Sequence, residues 1–125
     1  MSISILVALA FAVVGAIHLL PIAPVFYPQT LTRLYGIAPG DDTLLVLLRH
    51  RAVLLALVGI LCLWAAWSAP MRPAALLAAA VNIAAFLGFY ALYGNLTGSL
   101  RTIAIFDLIA IPPLAFAAWG TLVRA

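Results

Sequence analysis

Charge is scarce in this chain. Charged residues make up 7% of its 125 residues, and neither Lys nor Glu occurs, whereas about 25% of a typical soluble domain is charged. Hydrophobic residues make up 68%. A soluble domain of this length could not bury so much apolar surface and would need more charge to stay dissolved. The composition therefore excludes an ordinary soluble enzyme and a disordered chain, and it predicts an integral membrane protein.

Basic clusters and cysteine pairs are also lacking. The net charge is only +3, and no run of Arg could neutralise a row of phosphates, so we expect no nucleic-acid partner. Cys62 is the single cysteine, which excludes the membrane thiol oxidoreductases that need a C-x-x-C pair. The first arginine is Arg33. The N-terminus thus lacks the basic region of a cleavable signal peptide, and we expect the first apolar run to remain a span.

Long apolar runs, by contrast, occur four times. Each is close to the roughly 20 residues that a spanning helix needs. Short connections favour antiparallel neighbours, so the sequence predicts an all-α, integral membrane four-helix up-down bundle forming one transmembrane domain over residues 1–125. Pro112 and Pro113 predict a kink in the fourth span. The expected spans are 3–22, 44–68, 74–93 and 101–123.

The connection between the first two spans contains a further helical pattern. Leu31, Leu34 and Tyr35 recur at helical spacing beside polar residues, which predicts a short helix lying in the membrane interface. Gly36 ends this pattern, and the Asp-Asp-Thr sequence at 41–43 supplies N-cap residues for the second span.

One face of the third span is expected to point into the bundle. At about 100° per residue, Asn82, Phe89 and Tyr93 fall within about 20° of one line along this helix. Small residues, which let helices approach closely, are expected to be buried with them: Ala75, Ala78, Ala79 and Ala85.

Polar side chains within spans are costly and mark functional sites. Because the spans alternate in direction, nearly all of these side chains fall in one leaflet, near the connection between the first two spans. The sequence therefore predicts a polar pocket there. Its candidate ligand-binding residues are His18, Arg49, His50, Arg51, Asn82, Tyr90, Tyr93, Arg101 and Asp107.

The arginines of this group cannot all face inward. Arg49 and Arg51 are about 200° apart on the helical wheel, so one should point into the bundle and the other towards the interface. The inward arginine is the expected ion-pair partner of Asp107. Each residue also has a structural interpretation: a structural ion pair for Asp107, an interhelical hydrogen bond for Asn82, and neutral packing for the histidines.

The positive-inside rule alone does not orient the chain. Arg72 and Arg124 flank the side of the termini, and Arg33 and Arg101 flank the other. The acidic pair at 41–42 suits the outside. We therefore expect both termini in the cytoplasm.

The layout resembles the DoxX-like small four-helix membrane proteins of bacteria. The shared features are a first span ending in prolines, Leu34-Tyr35-Gly36-Ile37, an arginine early in the second span and an acidic residue in the fourth. The resemblance implies a bacterial inner-membrane location and an accessory role in membrane redox assemblies. It implies no catalytic residues.

Three functions stay open, and a non-enzymatic protein is favoured because no nucleophile–base pair, second carboxylate or metal ligand set accompanies Asp107. The first is binding of a lipid, a quinone or another small amphiphile, a partner membrane subunit, or a second copy of the chain. The second is a b-type haem protein with His18 and His50 as axial ligands, although no cofactor is required by the sequence. The third is a proton-coupled carrier with Asp107 as its titrating group.

Overall fold

The computed structural model describes residues 2–36, 40–94 and 98–123. Helices make up 91% of these residues, and no strand occurs among them, so the predicted all-α class is confirmed. The helices are α1 (Ile3–Leu19), α2 (Ala23–Phe26), α3 (Thr30–Tyr35), α4 (Asp42–Trp67), α5 (Arg72–Tyr93) and α6 (Ser99–Leu122), with 3-10 turns at Leu20–Ile22 and Ala69–Met71.

Four helical stretches are long and apolar enough to cross a membrane: Ile3–Phe26, Asp42–Trp67, Ala69–Tyr93 and Ser99–Leu122. Their lengths of 24 to 26 residues correspond to about 36–39 Å, more than the roughly 30 Å of a hydrocarbon core. A long apolar helical stretch therefore lies at each of the four predicted spans, and the first continues past Ile22. α6 is helical throughout, with Pro112 and Pro113 inside it.

The first stretch changes direction at Pro21, whose backbone (φ −84°, ψ 30°) leaves the helical region between α1 and α2. A short helix then follows, as the sequence predicts, but it covers only Thr30–Tyr35 and ends at Gly36 with φ 70°. Leu31 of this helix is completely buried, and α3 contacts α6. The helix therefore packs on the ends of the long helices. Asp41 caps α4 as expected, by accepting a hydrogen bond from the Leu44 amide at 2.7 Å.

The four long helices contact one another pairwise: α1 and α5 each pack against both α4 and α6. At the α1–α4 contact, a Cβ atom placed on Gly15 would lie 2.8 Å from the Gly59 carbonyl oxygen. A Cβ placed on Gly59 would lie 2.9 Å from the Gly15 carbonyl oxygen. The two glycines thus bring the backbones of α1 and α4 into direct contact, which a side chain at either position would prevent.

The inward face of α5 differs from the prediction. Ala75 and Ala79 are buried, but Ala85 is exposed, because it lies about 80° from Ala75 on the wheel. Phe89 and Tyr93 are 63% and 75% exposed.

The buried residues of α5 are Ala75, Leu76, Ala79 and Ile83, which span an arc of about 100° on the helical wheel. The predicted polar stripe of Asn82, Phe89 and Tyr93 lies at or just outside one edge of this arc, and its outer members Phe89 and Tyr93 are exposed. Two residues used in the sequence predictions, Ile37 and Arg124, lie outside the described residues, as do residues 95–97 between α5 and α6.

Candidate functional site

A cavity of about 230 Å³ lies at the end of the long helices that α3 covers. Its wall is contributed by α1, α3, α4, α5 and α6 and is mostly apolar. We call this space the polar cavity, after four of the polar side chains that line it: His18, Arg51, Asn82 and Asp107. The sequence predicts all four as site residues, and the fold brings them together.

His18 and Asn82 form an interhelical hydrogen bond in the wall. His18 is 3% exposed, and its Nδ1 lies 2.9 Å from the carbonyl oxygen of Val14, one turn earlier in α1. Since a carbonyl can only accept, Nδ1 carries the proton, and Nε2 accepts from Asn82 Nδ2 at 3.2 Å. Both ring nitrogens of His18 thus have a hydrogen-bond partner within the bundle.

Arg51 is held by two aromatic residues. One of its guanidinium nitrogens, Nη1, donates to the Tyr35 hydroxyl at 2.5 Å. Its Cζ lies 5.6 Å from the Tyr35 ring centroid and 5.5 Å from that of Phe86, within cation–π range. Arg51 therefore joins α3, α4 and α5 beside the cavity.

Of the four side chains that define the polar cavity, Asp107 is the one without a hydrogen bond to any described residue. It is 8% exposed, and its carboxyl group makes no hydrogen bond and no ion pair with any residue that the structure describes. The expected direct ion pair with an inward arginine is therefore not formed, because the guanidinium of Arg51 is engaged by Tyr35 and Phe86. Arg51 acts on Asp107 only through longer-range electrostatic attraction.

Arg49 and His50 lie in a different, shallower groove, together with Val25, Val46 and Val53. Arg49 Nη2 donates to the Val25 carbonyl oxygen at 2.7 Å and so ties α4 to α2. This agrees with the expectation that Arg49 and Arg51 point in different directions.

The two histidines consequently face different spaces. His50 is exposed, whereas His18 lines the polar cavity with its Nε2 bonded to Asn82. A haem held by both would require His50 to leave its groove and His18 to give up this hydrogen bond.

The remaining predicted site residues lie outside the polar cavity. Tyr90 stacks on Phe86 with ring centroids 6.3 Å apart, and so lies behind the aromatic contact of Arg51. Tyr93 and Arg101 are exposed. Depth along the helix predicted all three, but none of them is among the residues that line the cavity.

Sequence reasoning missed the contribution of α3 to this site. Arg33 and Leu34 line the cavity, and Tyr35 binds Arg51. The helical spacing of Leu31, Leu34 and Tyr35 already indicated that α3 has an apolar face, and such a face packs against other helices or against lipid. The spacing did not show which of the long helices this face of α3 would contact.

The arrangement is suited to hold a polar group within an apolar wall. Asp107 offers acceptor atoms, and Arg51 offers the N–H groups that Tyr35 does not use, since a guanidinium carries five. Across the described ranges, no three His, Cys, Asp or Glu side chains come together in a way that could hold a metal ion.

Comparison with known proteins adds no assignment to this geometry. No family model matches the chain, and it matches no curated protein and no solved structure. The DoxX-like resemblance thus stays a prediction, and the polar cavity is the feature from which a function can be inferred.

Proposed function

We propose that the polar cavity binds the head group of a small membrane amphiphile, a lipid or a quinone, and that the protein is a binding or accessory protein without catalytic activity. The observation that carries this proposal is Asp107. Asp107 is a buried residue, 8% exposed, and its carboxyl group lines the cavity without a hydrogen bond to any described residue. Burial without a partner disfavours the charge of a carboxyl group, so packing alone does not account for an acidic residue here. Intramembrane acidic residues are rare and typically functional.

The size of the cavity supports a head group rather than a whole lipid. Its volume of about 230 Å³ is below the roughly 300–1,000 Å³ of sites that enclose a drug-sized ligand. A ring or a short polar head fits this space, and the apolar tail would lie against the exposed apolar surface of the helices.

Retention of the bound molecule tests this function. The wild type and three variants, Asp107→Ala, Arg51→Ala and Asp42→Ala, would be purified in mild detergent and their organic extracts analysed by mass spectrometry. We expect one species retained by the wild type and by Asp42→Ala, whose exposed carboxylate lies at the start of α4, and depleted in the two cavity variants. Equal extracts from all four proteins would contradict the proposal.

The same proposal includes the placement of the chain. We propose an up-down bundle of DoxX-like type in a bacterial inner membrane, with both termini in the cytoplasm and α3 in the opposite interface. The four apolar stretches support the membrane location, and the short connections between them support the up-down order. Cys62 is completely buried, so single cysteines introduced by Ser2→Cys or Thr43→Cys can be labelled selectively in intact cells. Labelling of Thr43→Cys and protection of Ser2→Cys are expected, and the reverse pattern would invert the orientation.

Proton-coupled transport is the second candidate, and the unpaired carboxyl group of Asp107 is what favours it. A group that takes up and releases a proton must not be locked in an ion pair. Substrate-driven proton flux in proteoliposomes that is lost in Asp107→Asn would support this function, and no flux from correctly inserted wild type would exclude it.

A further inference from the structure

The polar cavity contains hydrogen-bond acceptors, the carboxyl oxygens of Asp107, for which the described residues supply no donor. His18 gives its single N–H to Val14, and Asn82 gives one of its N–H groups to His18. An occupant must therefore bring its own donor to satisfy an ionised Asp107.

Other hydroxyl groups of the wall do not meet this requirement. Ser99 and Thr102 also line the cavity, but they lie about 12 Å and 7.5 Å from Asp107 along the axis of α6. Thr102 Oγ1 is within 3.4 Å of the Gly98 carbonyl oxygen, to which it donates. Neither side chain is placed to pair with the carboxylate.

Arg51 determines the second property that an occupant of the cavity needs, which is a hydrogen-bond acceptor. Its guanidinium donates to Tyr35 through Nη1, and its other N–H groups remain for an acceptor. A carbonyl or ether oxygen could accept from Arg51 but would leave Asp107 without a donor. A hydroxyl group satisfies both, because its O–H donates to Asp107 while its oxygen accepts from Arg51.

We propose, resting on the binding function above, that the polar cavity selects amphiphiles with a hydroxyl head, an alcohol or a phenol, and that this hydroxyl bridges the Asp107 carboxylate and the Arg51 guanidinium. Heads that carry only carbonyl or ether oxygens are disfavoured. The gap that separates the two side chains, where sequence reasoning expects a direct ion pair, is the place this hydroxyl occupies.

Three related probes test the selection. 4-Propylphenol donates and accepts, 4-propylanisole only accepts, and 4-propyltoluene does neither while matching the phenol in shape. Their binding to the protein in nanodiscs would be measured by equilibrium dialysis, with empty nanodiscs of the same lipid subtracting membrane partition. The proteins compared are the wild type, Asp107→Leu, Asp107→Asn and the exposed control Asp42→Asn, each first shown to be monodisperse.

Wild type and Asp42→Asn should bind the phenol about ten- to hundredfold more tightly than the anisole or the toluene, as expected for a hydrogen bond to a charged group. The preference should fall in Asp107→Asn, whose acceptor is neutral, and shrink to within about threefold in Asp107→Leu.

Equal binding of phenol and anisole to wild type overturns the selection while leaving the binding function intact. A phenol preference that persists in Asp107→Leu overturns it as well, because the hydroxyl is then recognised elsewhere. The absence of saturable binding of any probe to wild type contradicts both the selection and the proposed function.

Discussion

Replacing Asp107 with Asn distinguishes a functional carboxylate from a structural one by the sign of its effect on stability. Asn has nearly the same shape as Asp but carries no charge. If Asp107 were held in a buried ion pair, its removal would leave an uncompensated charge on the partner and destabilise the protein by about 3–5 kcal/mol. In the structure, Asp107 has no such partner among the described residues, so nothing of this kind is lost.

The expected gain follows from the position of the residue. Asp107 lies eight residues into α6, about 12 Å from its start, and is 8% exposed. A charged Asp at the centre of a spanning helix costs about 2.5–3.5 kcal/mol on insertion scales. Attraction to Arg51 offsets part of this cost. We therefore expect Asp107→Asn to raise the free energy of unfolding at pH 7 by about 1–3 kcal/mol.

Reversible unfolding in bicelles with increasing dodecyl sulfate measures this change. Asp42→Asn serves as the matched control, because it removes an exposed carboxylate from the first turn of α4. The unfolding must be followed on ligand-free protein, since a bound occupant stabilises the wild type alone. A loss of stability in Asp107→Asn would refute this expectation, and a loss of about 3–5 kcal/mol would assign the carboxylate to a structural ion pair.

Three further substitutions, with Gly88→Ala as a control for the third, test the packing of the helices by the same unfolding measurement. Asn82→Ala leaves Nε2 of His18 without its donor and should destabilise the protein by about 0.6–1.7 kcal/mol; no change would show that the hydrogen bond does not form. Tyr35→Phe keeps the aromatic ring but removes the hydroxyl that accepts a hydrogen bond from Arg51, and it should destabilise the protein by about 0.5–1.5 kcal/mol. It should also make α3 more accessible to limited proteolysis. Unchanged cleavage would show that the Tyr35–Arg51 hydrogen bond does not hold α3 in place. Gly59→Ala forces α1 and α4 apart and should destabilise the protein by about 1–3 kcal/mol. Gly88→Ala is the control: its added methyl meets no atom within 4 Å, so it should be neutral or stabilising by up to about 1 kcal/mol. Equal effects of the two substitutions would contradict the close approach of the α1 and α4 backbones.

The sequence was sufficient to predict the position of a polar site along the helices. Hydropathy gives the spans, because bilayer thickness fixes their length. Alternating direction then places His18, Arg51, Asn82 and Asp107 at one level, and the cavity contains all four.

The direction of side chains around each helix was harder to predict. In a membrane the lipid-facing and inward surfaces are both apolar, so hydropathy is nearly uniform around α4 and α6 and does not identify the inner face. This is why Tyr93 and Arg101 were expected in the pocket and are exposed.

The contacts of Arg51 with Tyr35 and Phe86 could not be predicted from the sequence, because they depend on where α3 lies. The aromatic partners of Arg51 come from a short helix and from α5, and where that helix lies is set by the turn at Pro21 and its packing on α6. Charge complementarity alone favours Asp107 as the partner of Arg51. The cation–π contacts and the hydroxyl of Tyr35 compete with that pairing, and only the assembled fold shows the outcome.

The central claim is that the space between Asp107 and Arg51 holds the head of a membrane amphiphile. The most direct measurement is an experimental structure of the protein extracted with its native lipids, at a resolution that shows bound small molecules. We predict density in the polar cavity in contact with Asp107, with Arg51 still bonded to Tyr35. A cavity closed by a direct Asp107–Arg51 ion pair, with no density between them, would contradict the claim.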